Sequence, residues 1–401
     1  LGVALAWSAL TLDAWANPAG GVAIQGQASF NTSQPNQLLV TTQNGAGTNH
    51  SAINWQSFSI AAGETTRFMQ PSASSMVINR VVTNTPSALF GTLSSNGRVV
   101  LVNQAGIAVG AGALVDTAGF TASTLGMADA DALAGRLRFG SGDLGAHNGT
   151  LSVQGNLIAR TGDVVLIAPD VKLAQSAVVE APNGAVLLAA GRSVEVTGRG
   201  LEGITLQVQA PSDQALNLGT LRGDAIGIFA GTLRHSGVIQ ATTATRDGGK
   251  VVLKASGDAV VDGGARIEAS SASAQGGSIA VLGNRVAVTG HAVLDASGAS
   301  GGGTVLVGGD FQGRNPDIAN SQVTYAGADT RIHADATDSG NGGKVIVWAD
   351  DNTQAYGNIS ARGGPQGGDG GLIETSGHLY LDANGVIVDT SAPRGRAGTW
   401  L

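Results

Sequence analysis

The chain has 401 residues, 62 of them glycine, no cysteine, 13% charged and 4% aromatic residues. So much glycine excludes a fold built on long helices, since each interior glycine costs about 1 kcal/mol relative to alanine, while a hydrophobic content of 42% excludes disorder. A net charge of −7 excludes nucleic acid and anionic lipid as main partners, because both require a basic footprint.

Leu1–Leu12 is apolar, and Ala14-Trp15-Ala16 fits a small-x-small cleavage site. With no initiator Met and no basic region before it, residues 1–16 read as the remnant of a signal peptide, and the mature chain is expected to begin at Asn17. No later run of about 18 uncharged apolar residues predicts a membrane span. Absence of Cys is compatible with threading through a pore, which a disulfide formed in the periplasm would block.

Between Asn79 and Ile107 two runs read as strands, Ala88–Leu93 and Arg98–Val102. Ser94-Ser95-Asn96-Gly97 and Asn103-Gln104-Ala105-Gly106 close them as turns, in which glycine supplies positive φ at low cost. Met127–Ala134 is the one expected helix. Further strands are predicted at 155–159, 163–168 and 184–189, with Gly162-Asp163 and Asn183-Gly184 at corners.

The second half repeats. Gly-Gly followed by a β-branched run starts at Gly248, Gly276, Gly302, Gly342 and Gly370, with a second short strand between, as at Leu294-Asp295-Ala296-Ser297. Periods of this length signal a solenoid whose repeats cannot bury their apolar faces alone. The expected fold is all-β: a right-handed parallel β-helix with short β-hairpin excursions and an N-terminal cap. At roughly 22–28 residues per coil it should contain about 14–17 coils. Val164, Leu166, Val186, Leu188, Val251, Leu253, Val345 and Val347 should point inward. The widest spacing marks an insertion, with its loop at Asp310–Asp317.

Chemical motifs are sparse. No two of the six histidines lie within five residues, so no close-spaced metal pattern exists. Gly140–Gly145 matches G-x-G-x-x-G but is followed by another turn rather than the helix a dinucleotide needs. Gly367–Leu372 resembles a single calcium repeat with Leu372 where Asp is required. Asp350-Asp351 beside Trp348 is the best carboxylate pair, but neighbours on a strand face opposite ways and cannot converge on one glycosidic bond. Asn31, Asn49, Asn148 and Asn358 begin Asn-x-Ser/Thr triplets at a frequency expected by chance. No catalytic residue, cofactor or metal is expected.

Several segments, in order, resemble the N-terminal secretion domain of filamentous-haemagglutinin-type exoproteins of two-partner secretion, in their adhesin-like branch. These are Ile53-Asn54-Trp55-Gln56-Ser57-Phe58, Ile78-Asn79-Arg80-Val81, Asn103-Gln104-Ala105-Gly106-Ile107, and Phe120–Thr124 followed by Leu133–Phe139. The third departs from the family's Asn-Pro-Asn-Gly-Ile; it keeps Asn103, Gly106 and Ile107 and loses the second asparagine and the proline that would stiffen the turn. The resemblance implies that Trp55, Phe58, Asn79, Arg80, Val81, Asn103, Gly106 and Ile107 carry the secretion motif. It implies an outer-membrane β-barrel transporter as partner, acting through periplasmic modules, and release at the surface of a Gram-negative bacterium. A host-cell or glycan receptor is a further implied partner.

The chain is therefore expected to comprise a secretion domain at 17–245 and continuing Gly-Gly repeats at 246–401. By the resemblance it is expected to act as export signal and folding nucleus of a large adhesin. Two alternatives remain: a β-helical polysaccharide-degrading enzyme, and a carrier whose toxin or host-protein-binding module lies beyond residue 401.

Overall fold

The computed structural model describes residues 17–140, 149–207, 212–241 and 249–401. The expected signal-peptide remnant, the 245/246 boundary, His147, Asn148, Gly248 and most of the G-x-G-x-x-G match lie outside the described residues.

Alternating apolar residues on short strands form a three-sided parallel β-helix. The first face is a ladder of thirteen strands, from His50–Trp55 through Val164–Ala168 and Lys344–Ala349 to Thr399–Trp400. The second face has eleven strands, from Ser87–Leu89 to Tyr380–Asp382. The third runs from Gln37–Gln43 to Ile387–Asp389. Twelve steps of the first ladder span about 58 Å. Thirteen levels are fewer than the roughly 14–17 coils expected, because the cap and the excursions take residues that belong to no coil.

All eight residues expected inside are fully buried, as is the continuous column they belong to. At the N-terminus, Val22–Gln25 and Gln27–Asn31 pair antiparallel with His50–Trp55 and Gln37–Gln43, closing the open end of the ladder. The Gly-Gly corners stack on one another. A Cβ on Gly303 would sit on the Gly277 carbonyl, one on Gly343 on the Gly303 carbonyl, and one on Gly371 on the Gly343 carbonyl. Glycine is required there for close backbone approach rather than for positive φ.

The segment 88–93 differs from expectation. It is two strands, Ser87–Leu89 and Thr92–Ser95, broken at Phe90-Gly91, where a side chain on Gly91 would meet the carbonyls of Ala61 and Glu64. An apolar run thus turns a corner that hydrophobicity alone does not mark. Ser94 and Ser95 are accordingly strand residues, and Gly97 lacks positive φ, whereas Gly106 has φ +119°.

Excursions cover the outside of the first face. The helix Asp129–Ala134 and the strand Leu137–Gly140 leave one coil, and the strands Ser193–Val196 and Ile204–Gln207 leave another. The three strands form a small antiparallel sheet. Beneath it Ile78, Val100, Val165, Ile167 and Leu187, which point outward, are buried in a second apolar layer with Met127 and Phe139. Further on, the insertion after Thr304–Val307 folds back on Leu306, Ile346 and Trp348.

Candidate secretion-signal site

The motif residues sit on the first coils, and most lie inside them. Trp55 ends its strand with its indole fully interior, edge-on to Phe30 at 5.2 Å and to Phe58 at 5.6 Å; Phe58 stacks on Phe68 at 6.3 Å. Its Nε1 donates to Asn79 Oδ1 at 2.9 Å, and Asn79 Nδ2 donates to the Val100 carbonyl at 3.2 Å. Register places Ile53 opposite Asn79 and Asn79 opposite Leu101. One buried asparagine therefore ties three successive coils, and its polar atoms find partners in a region without solvent.

Arg80, the next residue, faces the other way. It is 8% exposed, lies under the excursion, and pairs with Asp129 at 2.5 Å in the first turn of the helix. That carboxylate also faces the positive end of the helix. Val81 is half-buried against the interior.

Asn103 sits at the corner between the first and second faces. Its Nδ2 donates to the Thr85 carbonyl and to Ser87 Oγ, both at 2.9 Å, and its Oδ1 accepts from Ala105 N–H at 3.0 Å. The Gly106 N–H closes the turn onto the Asn103 carbonyl at 3.1 Å, and the Gly106 carbonyl accepts from Ser87 N–H. The positive φ of Gly106 makes the altered Asn-Gln-Ala-Gly turn workable without proline. Ile107 then enters the interior, opposite Ser87 in the coil before and Leu151 in the coil after.

The structure thus brings Trp55, Phe58 and Asn79 into one cluster, sets Asn103, Gly106 and Ile107 at a corner, and puts Arg80 outside. Sequence reasoning missed Phe30 and Phe68, which complete the aromatic cluster, and Asp129, Thr85 and Ser87, which partner Arg80 and Asn103. Alternation around Phe30 and Phe68 was the available signal for the first two; the others are backbone or distant partners with none.

The rival chemistry is tied up structurally. Asp350 accepts from Trp348 Nε1 and from Asn320 Nδ2, both at 3.0 Å, while Asp351 is exposed. Glu374, buried on the adjacent strand, shares with Asp350 a hollow of about 580 Å³ beneath the insertion, and accepts from Gln312 N–H. Ser360, His333 and Asp335 also meet, but Ser360 stands in the middle: it donates to Asp335 at 2.8 Å and contacts His333 Nδ1 at 2.8 Å. A hydrolase needs the histidine in that place. Asp335 instead holds the Arg362 backbone and guanidinium. Among the described residues no group of three or more metal-ligating side chains occurs, and no helix is long and apolar enough to cross a membrane.

Comparison with known proteins agrees with the fold. The TPS secretion domain family matches residues 16–268. The crystal structure of the HMW1 secretion domain from Haemophilus influenzae superposes with a TM-score of 0.82 at 29% identity, covering 96% of this chain and 100% of that one. The filamentous hemagglutinin secretion domain matches at 17% identity with a TM-score of 0.41, over 78% of this chain and 99% of that one. A heme/hemopexin-binding protein of Haemophilus influenzae is 24% identical over 402 aligned positions, covering 91% of this chain and 42% of its own length. The chain spans less than half of that relative. Proteins bearing this domain are exported to the surface or secreted by Gram-negative bacteria, with an outer-membrane transporter as partner. The chain belongs to the TPS secretion domain family of large exoproteins.

Proposed function

We propose that the transporter reads the secretion motif in the chain before it folds, through periplasmic modules, and that the same residues then nucleate the first coils outside the cell. The burial of Trp55, Asn79, Asn103 and Ile107 carries this reading, because a folded domain does not present them. In an extended chain their alternating apolar residues can add as a strand to an exposed sheet edge. Once released, Asn79 and Asn103 change partners from water or transporter to the neighbouring coils. The domain so formed is non-enzymatic, and continues as the shaft of a surface adhesin whose rod shape carries distal parts away from the membrane. Residues 17–245 supply the export signal and 246–401 the continuing shaft.

The test expresses the chain with its own transporter in a host lacking both. Gly106→Val forces a β-branched residue into positive φ, and Asn103→Ala removes one hydrogen bond within the turn and two from the turn to Thr85 and Ser87. Both should reduce the extracellular amount while periplasmic delivery persists. Asp350→Ala with Asp351→Ala should leave export intact. Unimpaired export of both turn variants would refute the reading, and loss of a glycan-degrading activity in the aspartate pair would favour an enzyme.

A further inference from the structure

The chain has only three tyrosines, and all three gather on the outer surface of the second face near its last coils. Tyr325 projects outward from Val323–Ala326, whose Thr324 and Ala326 fill the interior. In register with it come Gln354 and then Asp382. Tyr356 follows Asn352–Ala355 and meets the Tyr325 ring edge-on at 5.9 Å, while its hydroxyl donates to Asp382 Oδ2 at 2.9 Å. Tyr380 lies opposite Asn352 and is half exposed. Toward the N-terminus the same outward column carries Ala287, Val260 and Arg234, so the aromatic character begins at Tyr325.

These outward positions belong to the second face rather than to the roofed first face, and the interior at this level is filled by Thr324, Ala326, Thr353 and Ala355, so folding does not require rings here. Tyrosine supplies rigid amphipathic contact area with a polar tip at low entropic cost. Here the rings stand on a flat ladder whose steps of about 4.8 Å approximate the length of one pyranose ring. Between them stand the Gln354 amide, the Nδ2 side of the Asn352 amide, and the Asp382 carboxylate, whose oxygens also hold the Tyr356 hydroxyl and the Asn384 N–H. A stable protein partner would require roughly 800 Å² on this side, built around a centre depleted of charge, whereas the Asp382 carboxylate stands among these rings. The only formal charge among the six residues is negative, which disfavours sulfated and sialylated chains.

We propose that Tyr325, Tyr356 and Tyr380, with Asn352, Gln354 and Asp382, form a binding surface for a neutral oligosaccharide. This surface is separate from the secretion motif and independent of how export is read. The test titrates the purified chain with chitotetraose and cellotetraose as neutral probes, and with sialyllactose and a heparin tetrasaccharide as acidic ones. A neutral probe should bind. Tyr325→Ala with Tyr356→Ala should weaken it by at least about tenfold, Tyr380→Ala should weaken it less, and Tyr356→Phe, which keeps the ring, should stay within about threefold. Circular dichroism should show the fold unchanged in all variants, because these side chains point away from the interior. Absence of binding to both neutral probes, preference for an acidic probe, or equal binding by the double variant would each overturn the proposal; the first would leave the rings to a protein contact. Export of the double variant should match that of the parent chain, which separates this result from any failure of the secretion reading.

Discussion

Protonation of one interior histidine should weaken the middle of the rod. His235 ends the strand Thr232–His235 with no solvent exposure. Its Nδ1 meets Asn217 Nδ2 at 3.1 Å, and its buried Nε2 has no hydrogen-bond partner among the described residues. Burial, opposed in part by the Asn217 contact and the Asp262 carboxylate, lowers its pKa from 6.5 to about 4. The unfolded chain takes up this proton below about pH 6.5 and the folded chain only near pH 4, so the unfolded state binds more protons in between. Stability from this group is complete at pH 7 and is lost as pH falls from 6.5 to 4. The full loss is about 3 kcal/mol at 1.36 kcal/mol per unit, and roughly 2.5 kcal/mol is reached by pH 4.5. His235→Asn keeps a polar partner for Asn217 but cannot titrate. Urea unfolding followed by circular dichroism at pH 7, 5.5 and 4.5 should show the parent losing that much more stability than the variant. Parallel pH dependences for the two proteins would refute the argument, whatever their absolute stabilities.

Three further outcomes follow from the packing. Trp55→Phe keeps the aromatic cluster but strands the buried Asn79 Oδ1, and should cost about 1–3 kcal/mol in the same unfolding assay. Leu188→Ala opens a cavity in the interior column and should cost about 2–5 kcal/mol, with new protease sensitivity in neighbouring coils. Gly303→Ala places a methyl group on the Gly277 carbonyl and should cost roughly 1–3 kcal/mol, visible as faster hydrogen exchange around the 276, 302 and 342 corners.

Elements with a short period were legible in the sequence. The inward phase of Val164, Leu166, Val251 and Leu253 follows from alternation, and the helix and the insertion from local composition. What stayed hidden depends on distant partners. The run 164–168 is apolar at every position because its outward residues are covered by an excursion, and periodicity cannot say by what. Leu137–Gly140 finds its partner strand at Ser193–Val196, far beyond any hairpin spacing. The residues expected to carry the motif form a pattern in the sequence, but the pattern did not separate Asn79, whose amide staples coils, from Arg80, whose partner lies 49 residues on in a helix.

The outer layer over the first face also sets a timetable. Met76, Ile78 and Val100 emerge early, yet the strand that completes their roof, Ser193–Val196, emerges about a hundred residues later. Until then Leu137–Gly140 has no neighbouring strand, and the first coils carry an oily outside wall. Parallel stacking can begin with the first coils, but a piece able to stand alone requires release of the chain to about residue 207, where the small sheet closes. Shorter fragments should be sticky and easily cleaved however perfect their export signal, so the smallest useful secretion unit is set by its roof rather than by its motif.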